Sequence, residues 1–392
     1  MNKKIKVGSD FSGVGAFDQA LMRLGIDYET EFACDMDKYA RTTYIHNYKE
    51  PKYYPKNVYD REIPSESLDI YMTSPPCQAF SLAGKRLGKD DKRGILFFNS
   101  HEFITKNKPR FFIFENVKGL LSDDAGKTFQ EWVNLLGGKS VNGLHILFPY
   151  EDSVPYHIYW KVLNAKEHGV PQNRERVFII GIRDDQDNNF RFPAEEHLTK
   201  RLKNILENDV PEKYFLSNDG IKNLIKNQEY NKFNPLEENS EFTNVITARC
   251  SKVSNDNPFL KIGTWRTHKD GQGFREIEDG NCPTIPARAR EDGSGQPVIQ
   301  ELKILDCYNN NIRKDECCGT ITQHCSREGM TNGFKVIENY KIRRLTPREC
   351  FRLMDFPDTF DFSCVSDSQA YKQAGNSIVV RVLEKIIKNL SL

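Results

Sequence analysis

Lys4-Ile5-Lys6-Val7-Gly8-Ser9-Asp10-Phe11-Ser12-Gly13-Val14-Gly15 reads as a strand followed by a glycine-bearing turn. Lys4–Ser9 is the strand, and Phe17, Leu21 and Leu24 continue beyond the turn at helical spacing. Glycines at such a turn let the backbone approach a ligand, and the helix entrance favours an anion or polar group there. The same alternation recurs downstream. Thr30–Cys34, Leu68–Thr73, Phe111–Glu115 and Arg176–Gly181 read as further strands separated by helical stretches. This alternation predicts a doubly wound α/β sheet. The turn is not the full dinucleotide fingerprint, because Phe17-Asp18 stands where its third glycine belongs. A nicotinamide dehydrogenase is therefore disfavoured.

A chain of 392 residues has room for one large domain or two unequal ones. It contains no run of about 18 apolar residues, the length a membrane helix needs. Its first residues lack the apolar stretch of a signal peptide, so a cytoplasmic protein is expected. The ten cysteines form no C-x-x-C pair, as expected of thiols in a reducing compartment. Cys317, Cys318, His324 and Cys325 match no common zinc spacing, and no metal is expected. A net charge of +1 neither demands nor excludes nucleic acid, since affinity follows the local contact face.

Composition changes after Arg183. Residues 184–240 are rich in Asp, Asn, Glu and Lys, and residues 241–340 in Gly, Asn, Thr and Arg. This reads as a second, irregular domain with short strands and long turns. It carries a degenerate repeat: Asn244–Arg249, Pro283–Arg288 and Gly319–His324 each contain Thr-Ile and end in Arg or His. Recognition of a partner is one reading, and three similar hairpins with a solvated charge at the rim is the other. Regular structure returns at Leu345-Thr346-Pro347-Arg348-Glu349, a capped helix start, and at Ile378–Leu390, an amphipathic helix.

The chemistry lies at strand ends. Asp35 ends the second strand and suits a ribose hydroxyl. Asp60 precedes the third strand and suits an adenine amino group. Ser74-Pro75-Pro76-Cys77-Gln78-Ala79-Phe80-Ser81 puts a cysteine on the loop leaving a strand, where open α/β sheets bind ligands. The Pro-Pro turn aims that thiol outward, whereas an ordinary buried cysteine needs no such turn. Its reactivity requires the thiolate and hence positive groups nearby. Glu115 ends a very apolar strand, a setting that raises a carboxyl pKa; the alternative makes Asn116 a helix cap and Glu115 a bystander. Arg174 and Arg176 alternate at the entry to the fifth strand, suited to a base carbonyl and a phosphate or to a surface ion pair.

Taken in order, these stretches resemble the cytosine-5 DNA methyltransferases of bacteria and phages, of the restriction-modification type. The likeness rests on Phe11-Ser12-Gly13-Val14-Gly15, Pro76-Cys77-Gln78, Glu115-Asn116-Val117, Gln172–Arg176, Arg344–Glu349 and Gln373–Ser377, and covers residues 1–183 and 341–392. It implies an S-adenosylmethionine-dependent, Rossmann-like sheet with a smaller irregular target-recognition domain. The implied catalytic domain is 1–183 with 365–392, and the target-recognition domain is 184–364 with a variable core at about 241–340. The implied cofactor is S-adenosyl-L-methionine, leaving as S-adenosyl-L-homocysteine. Phe11, Gly13, Gly15, Asp35, Met36, Asp60, Pro76, Leu96, Asn376 and Ser377 would line its pocket. Cys77 would attack the ring, Glu115 would bind ring nitrogen-3 and the amino group, and Arg176 the carbonyl oxygen. Arg174 would hold the loop and the DNA backbone. Residues 78–94 resemble the family's mobile loop, with Gln78 and Ser81 against DNA. Arg249, Arg288, Arg290 and Arg327 are candidate base readers, and Gln272 or one of Asn309–Asn311 would fill the emptied stack. The implied partner is double-stranded DNA, with a restriction endonuclease as a genetic partner and the enzyme a monomer.

Two departures stand out: Asp35 where Glu is common, and Asp355 where Gly is common. A transfer-RNA methyltransferase of the same fold has no need of the long variable region. A regulatory protein that has lost catalysis would show a damaged site, whereas Cys77, Glu115, Arg174 and Arg176 are all present.

Overall fold

The structure, a computed structural model, describes residues 4–75, 95–186, 189–200, 204–215 and 345–392, and the backbone of short strands at 236–237, 259–262, 302–306, 311–312, 334–338 and 341–344. The chain packs as two units. One comprises Met1–Glu207, Ser240–Asn257 and Thr346–Leu392, the other Asn208–Asn239 and Pro258–Leu345.

The first unit is built on an eight-stranded sheet. β1 (Ile5–Asp10) pairs in parallel with β2 (Tyr28–Cys34) on one side and with β3 (Ile70–Thr73) on the other. β4 (Phe111–Val117) lies parallel to β3. Beyond it the strands are β5 (Ser140–Val141), β6 (Leu144–His145), β7 (Tyr156–Asn164) and β8 (Glu175–Arg183). The sheet order is β2-β1-β3-β4-β8-β7-β5-β6, with β8 antiparallel to both its neighbours. The expected doubly wound α/β sheet is present, with two reversed strands, the long β8 inside it and the short β6 at its edge.

The strand order reverses between β2 and β3, on either side of β1. In open α/β sheets a ligand binds outside the carboxyl ends of the strands at such a point. Phe111–Phe114 of β4 are fully buried, as a central strand covered on both faces must be. The helices of this unit are α1 (Ala16–Arg23), α2 (Lys38–Asn47), α3 (Ile95–Asn107), α4 (Lys127–Leu136), α5 (Pro347–Leu353), α6 (Asp367–Asn376) and α7 (Val380–Lys388). Phe97 of α3 stacks on Trp132 of α4 with centroids 4.2 Å apart, closing one face of the sheet.

α5 starts where its sequence directs. Thr346 and Glu349 form a reciprocal capping box with Pro347 in the first turn. The amphipathic stretch 378–390 forms α7 at Val380–Lys388. β7 escapes sequence reading because it carries polar residues through the sheet. His157, for instance, is buried there between Ser140 Oγ at 2.8 Å and Asp184 Oδ1 at 3.1 Å.

In the second unit the short strands are β9 (Leu236–Glu237), β10 (Phe259–Ile262), β11 (Leu302–Asp306), β12 (Asn311–Ile312), β13 (Phe334–Glu338) and β14 (Lys341–Arg344). They form two three-stranded sheets, β14-β10-β9 and β12-β11-β13. The three Thr-Ile stretches, Arg249, Arg288, Arg290, Arg327, Gln272, Asn309, Asn310 and the Cys317–Cys325 group lie outside the described residues. Of Asn311 only the backbone is described. Among the described residues no helix is long and apolar enough to cross a membrane.

Asp355, the departure from Gly, has a physical consequence. It follows α5 with φ of 59°, in the left-handed region that glycine enters at least cost. Its carboxylate sits 2.5 Å from Arg23 of α1, which also contacts Glu384 of α7 at 2.9 Å. The aspartate thus accepts a strained backbone in return for tying α5 to α1. Asp355→Ala loses the ion pair and keeps the strain, whereas Asp355→Gly loses the pair and relieves it. Urea unfolding is expected to rank Ala below Gly by about 1 kcal/mol; equal stabilities would contradict the strain.

Candidate active site

The turn after β1 is shaped by three residues at positive φ: Phe11 (58°), Gly13 (55°) and Gly15 (83°). Gly15 is obligatory for packing as well, since a Cβ there would lie 2.2 Å from the Tyr48 ring. At Gly13 a Cβ meets nothing nearer than the Phe11 carbonyl oxygen at 4.0 Å. Phe11 is bulky, so its left-handed backbone is strain held in place by its surroundings.

Asp35, just past β2, organises this turn. Its two oxygens accept the Gly13 and Asp37 N–H groups, each at 2.8 Å. Burial pushes its carboxyl up, and the Asp37 and Gly13 N–H groups pull it back. Tyr54 supports the turn from Ser12, their hydroxyls 3.2 Å apart. Arg41 lies over the Tyr54 ring at 3.9 Å and donates to the Tyr54 and Pro55 carbonyls at 2.8 Å each. Beside Asp35, the Met36 side chain is 86% exposed.

Asp60 is exposed, and its carbonyl accepts the Tyr53 hydroxyl at 3.1 Å. Leu96 lies half-buried in the first turn of α3. Asn376 ends α6 exposed, and the buried Ser377 follows it. α6 is fastened to α2 by the Lys372–Asp37 ion pair at 2.5 Å and by Thr43 Oγ1 donating to Gln373 at 3.0 Å. Phe11, Gly13, Gly15 and Asp35 thus form one bonded turn, and Asn376 and Ser377 are carried by a helix tied to the residue after Met36.

A second group stands at the end of β4. Glu115 is only 7% exposed, with Arg176 Nε 3.0 Å from its Oε1. The register explains the pairing: β8 runs antiparallel to β4 and sets Arg176 opposite Val117. Burial pushes the Glu115 carboxyl above its ordinary value, and the positive charges of Arg176 and then Arg174 pull it down. Asn116 is not a helix cap. Its Nδ2 donates to the Pro75 carbonyl at 3.2 Å, fastening the loop that leaves β3 beside Glu115. Ser74 Oγ donates to the Phe11 carbonyl at 3.5 Å, linking that loop to the glycine turn. Pro76, Cys77, Gln78 and Ser81 follow in the sequence and lie outside the described residues.

Arg174 is 3% exposed and donates to the carbonyls of Gly375 and Ser377 at 3.1 and 2.7 Å. Gln172 donates to the Leu353 carbonyl at 2.7 Å. The Gln-x-Arg segment thereby holds the C-terminal segment against the end of β8. Sequence reading paired Arg174 with Arg176 by alternation; the structure sends one to backbone carbonyls and the other to Glu115. It also missed Asn116 as a loop anchor and Arg41 and Tyr54 as supports, because each acts through residues distant in sequence.

The C-5 cytosine-specific DNA methylase family model matches residues 5–392, and the chain belongs to that family. Orphan methyltransferase M.SPRI of Bacillus phage SPR is 33% identical, covering 99% of this chain and 97% of its own. Type II methyltransferase M.HpaII of Haemophilus parainfluenzae is 31% identical over 97% of this chain and 87% of its own. Among solved structures, a mutant DNMT2 of Spodoptera frugiperda superposes with a TM-score of 0.64 at 18% identity, covering 98% of this chain and 99% of that one. The Entamoeba histolytica methyltransferase EhMeth gives 0.63 at 18% identity, covering 99% and 98%. These structures share the fold of this chain.

The first helix after the glycine turn carries a titratable group that can be tested directly. Asp18 is buried, accepts the Tyr44 hydroxyl at 2.7 Å, and is pushed by burial up to about 6 from 3.8. The unfolded chain therefore ionises first as pH rises. Stability present below 3.8 is lost through about 6, by as much as about 3 kcal/mol at 1.4 kcal/mol per pH unit. Asp18→Asn keeps an acceptor for Tyr44 and removes the titration. Urea unfolding of this variant between pH 4 and 7 is expected to lack that decline; parallel curves for the two proteins would refute it.

Proposed function

We propose that the chain is a sequence-specific DNA methyltransferase. It moves a methyl group from S-adenosyl-L-methionine to carbon-5 of a flipped-out cytosine in duplex DNA, through a covalent adduct at Cys77. The observation that carries this reading is the ion pair of buried Glu115 with Arg176, next to Asn116, which fastens Pro75, two residues before Cys77 in the chain.

The residues of the β1 turn fit the cofactor. The open side of Gly13 admits a ligand against the backbone, Asp35 offers a carboxylate at a ribose, and exposed Met36 offers an apolar surface to a base. Phe11, Gly15, Asp60, Pro76, Leu96, Asn376 and Ser377 complete the assigned pocket. When bound, S-adenosylmethionine supplies an electrophilic methyl group and leaves as S-adenosylhomocysteine.

Carbon-5 of cytosine is a weak nucleophile. Addition of the Cys77 thiolate to carbon-6 forms a carbon–sulfur bond and moves the ring's electron pair toward carbon-5. Glu115, whose burial favours the protonated form, donates to ring nitrogen-3 with one oxygen and accepts from the amino group with the other. Arg176 donates to the carbonyl oxygen and offsets charge on the ring. Arg174 positions the C-terminal segment. Once carbon-5 bears the methyl group, its proton passes to water. The electron pair re-forms the 5,6 double bond, and Cys77 leaves as thiolate.

This chemistry needs the base outside the stack, at a cost of a few kcal/mol. The segment 184–364, with its core at about 241–340, is assigned to duplex reading. Arg249, Arg288, Arg290 and Arg327 are its assigned DNA contacts, Gln78 and Ser81 are those of the segment after Cys77, and Gln272 or one of Asn309–Asn311 fills the emptied position. A monomer acting in the cytoplasm suffices, with a cognate restriction endonuclease as a genetic partner.

The test is methylation of an unmethylated plasmid with S-adenosylmethionine, read by bisulfite sequencing. Protected cytosines in one short recurrent context are expected, with Cys77→Ala reducing the rate at least about a thousandfold. No protected cytosine, from protein that binds the cofactor, would overturn the DNA substrate. Undiminished methylation by Cys77→Ala would overturn the adduct.

A further inference from the structure

Between α2 and β3 the chain runs from Tyr48 to Asp69 without a helix or a sheet strand, yet this stretch carries Asp60. Backbone hydrogen bonds tie its first part to β2, Lys52 N–H donating to the Thr30 carbonyl and Ala33 N–H to the Tyr53 carbonyl, each at 3.1 Å, and side chains anchor the stretch around Asp60. A buried charged anchor there is Arg61, the residue after Asp60. The Arg61 side chain is 3% exposed, and its Nε lies 2.9 and 3.0 Å from the two oxygens of Asp10. Asp10 ends β1 and immediately precedes Phe11. Arg61 Nη2 also reaches the carbonyl of Asn99 in α3, at 3.4 Å, one turn beyond Leu96. Its guanidinium lies over the rings of Phe103 at 4.5 Å and Phe32 at 5.5 Å.

A buried ion pair in such aromatic surroundings is a poor device for stability alone. A well-packed apolar pair of the same volume often does as well or better. What this pair does is geometric. Asp10 Oδ2 accepts both Arg61 Nε and the Tyr71 hydroxyl, the latter at 2.6 Å, so the carboxylate is a fixed post on the central sheet. One guanidinium therefore joins the three segments that bear Phe11, Asp60 and Leu96. We infer that Arg61 is a positioning residue for the cofactor pocket, fixing the Asp60 segment and the first turns of α3 against the β1 turn. The inference rests on the methyl-donor reading above and adds to it a residue that touches no substrate.

Removing Arg61 alone strands the Asp10 charge in the core, so the informative protein is the neutral double variant Asp10→Asn/Arg61→Met. Arg61→Lys serves as the conservative variant, keeping the charge at Asp10 but losing the fork that reaches Asn99. Binding of S-adenosylhomocysteine is measured by calorimetry, and steady-state rates are measured against both S-adenosylmethionine and plasmid DNA. Thermal melts identify the folded variants. The expected result is a double variant that melts cooperatively. It should bind S-adenosylhomocysteine at least tenfold more weakly and show a KM for S-adenosylmethionine raised by a similar factor. KM for DNA and kcat at saturation should stay within about threefold, and Arg61→Lys should fall between. Wild-type cofactor affinity in either folded variant would reduce Arg61 to a structural residue and overturn the inference. Equal losses in cofactor KM, DNA KM and kcat would do the same, since they mark general loosening. Failure of the wild-type protein to bind S-adenosylhomocysteine would instead remove the methyl-donor reading, and this inference with it.

Discussion

The arrangement of the site depends on the Glu115 carboxyl, kept out of water where the parallel strands end, with the Arg176 guanidinium 3.0 Å away and Arg174 supplying a second positive charge. Glu115 could not remain on a buried strand without compensation, because an isolated buried charge is costly. The compensation comes from the one long strand that runs against the rest. Because β8 is reversed, its first residues arrive where the parallel strands end, and Arg176 reaches Glu115 across the β4–β8 register. Had β8 been parallel, its carboxyl end would stand there instead, and Arg176 would lie at the opposite edge of the sheet. The reversed strand thus builds the Glu115–Arg176 pair as much as it builds the fold.

The same edge gathers everything else. Asn116 fastens the start of the cysteine-bearing loop, Ser74 ties that loop to the glycine turn, and Arg174 locks the C-terminal segment to the entry of β8. Asp35 supplies its two oxygens to the turn it borders. Asp35 therefore holds the turn through both of its oxygens. Positive φ at Phe11, Gly13 and Gly15 shapes this turn, with backbone strain at Phe11 and none required of the two glycines.

Much of this was legible in the sequence because it is local. The β1–turn–α1 unit, the apolar run before Glu115 and the Thr346 capping box each follow from residues a few positions apart. The short strands β5 and β6 were not legible, and neither was β7, whose His157 becomes acceptable inside a sheet only once Ser140 and Asp184 are brought to it. Arg61, Arg41 and Arg174 were opaque in a different way. An arginine in a sequence looks like surface, and only the fold shows that each guanidinium is spent on groups from distant segments. Asp355 lies between these cases: its departure from Gly was visible, but the left-handed backbone and the Arg23 contact that make it tolerable were not.

The most direct test of the central claim is to trap the adduct. A duplex in which the target cytosine carries fluorine at carbon-5 has no proton there to lose after methyl transfer, so the carbon–sulfur bond persists. Incubated with the protein and S-adenosylmethionine, such a duplex is expected to give a denaturant-stable complex whose digested peptide bears the modified base on Cys77. The absence of any such complex, from protein that methylates the unfluorinated duplex, or a modified base mapped to another residue, would contradict the account.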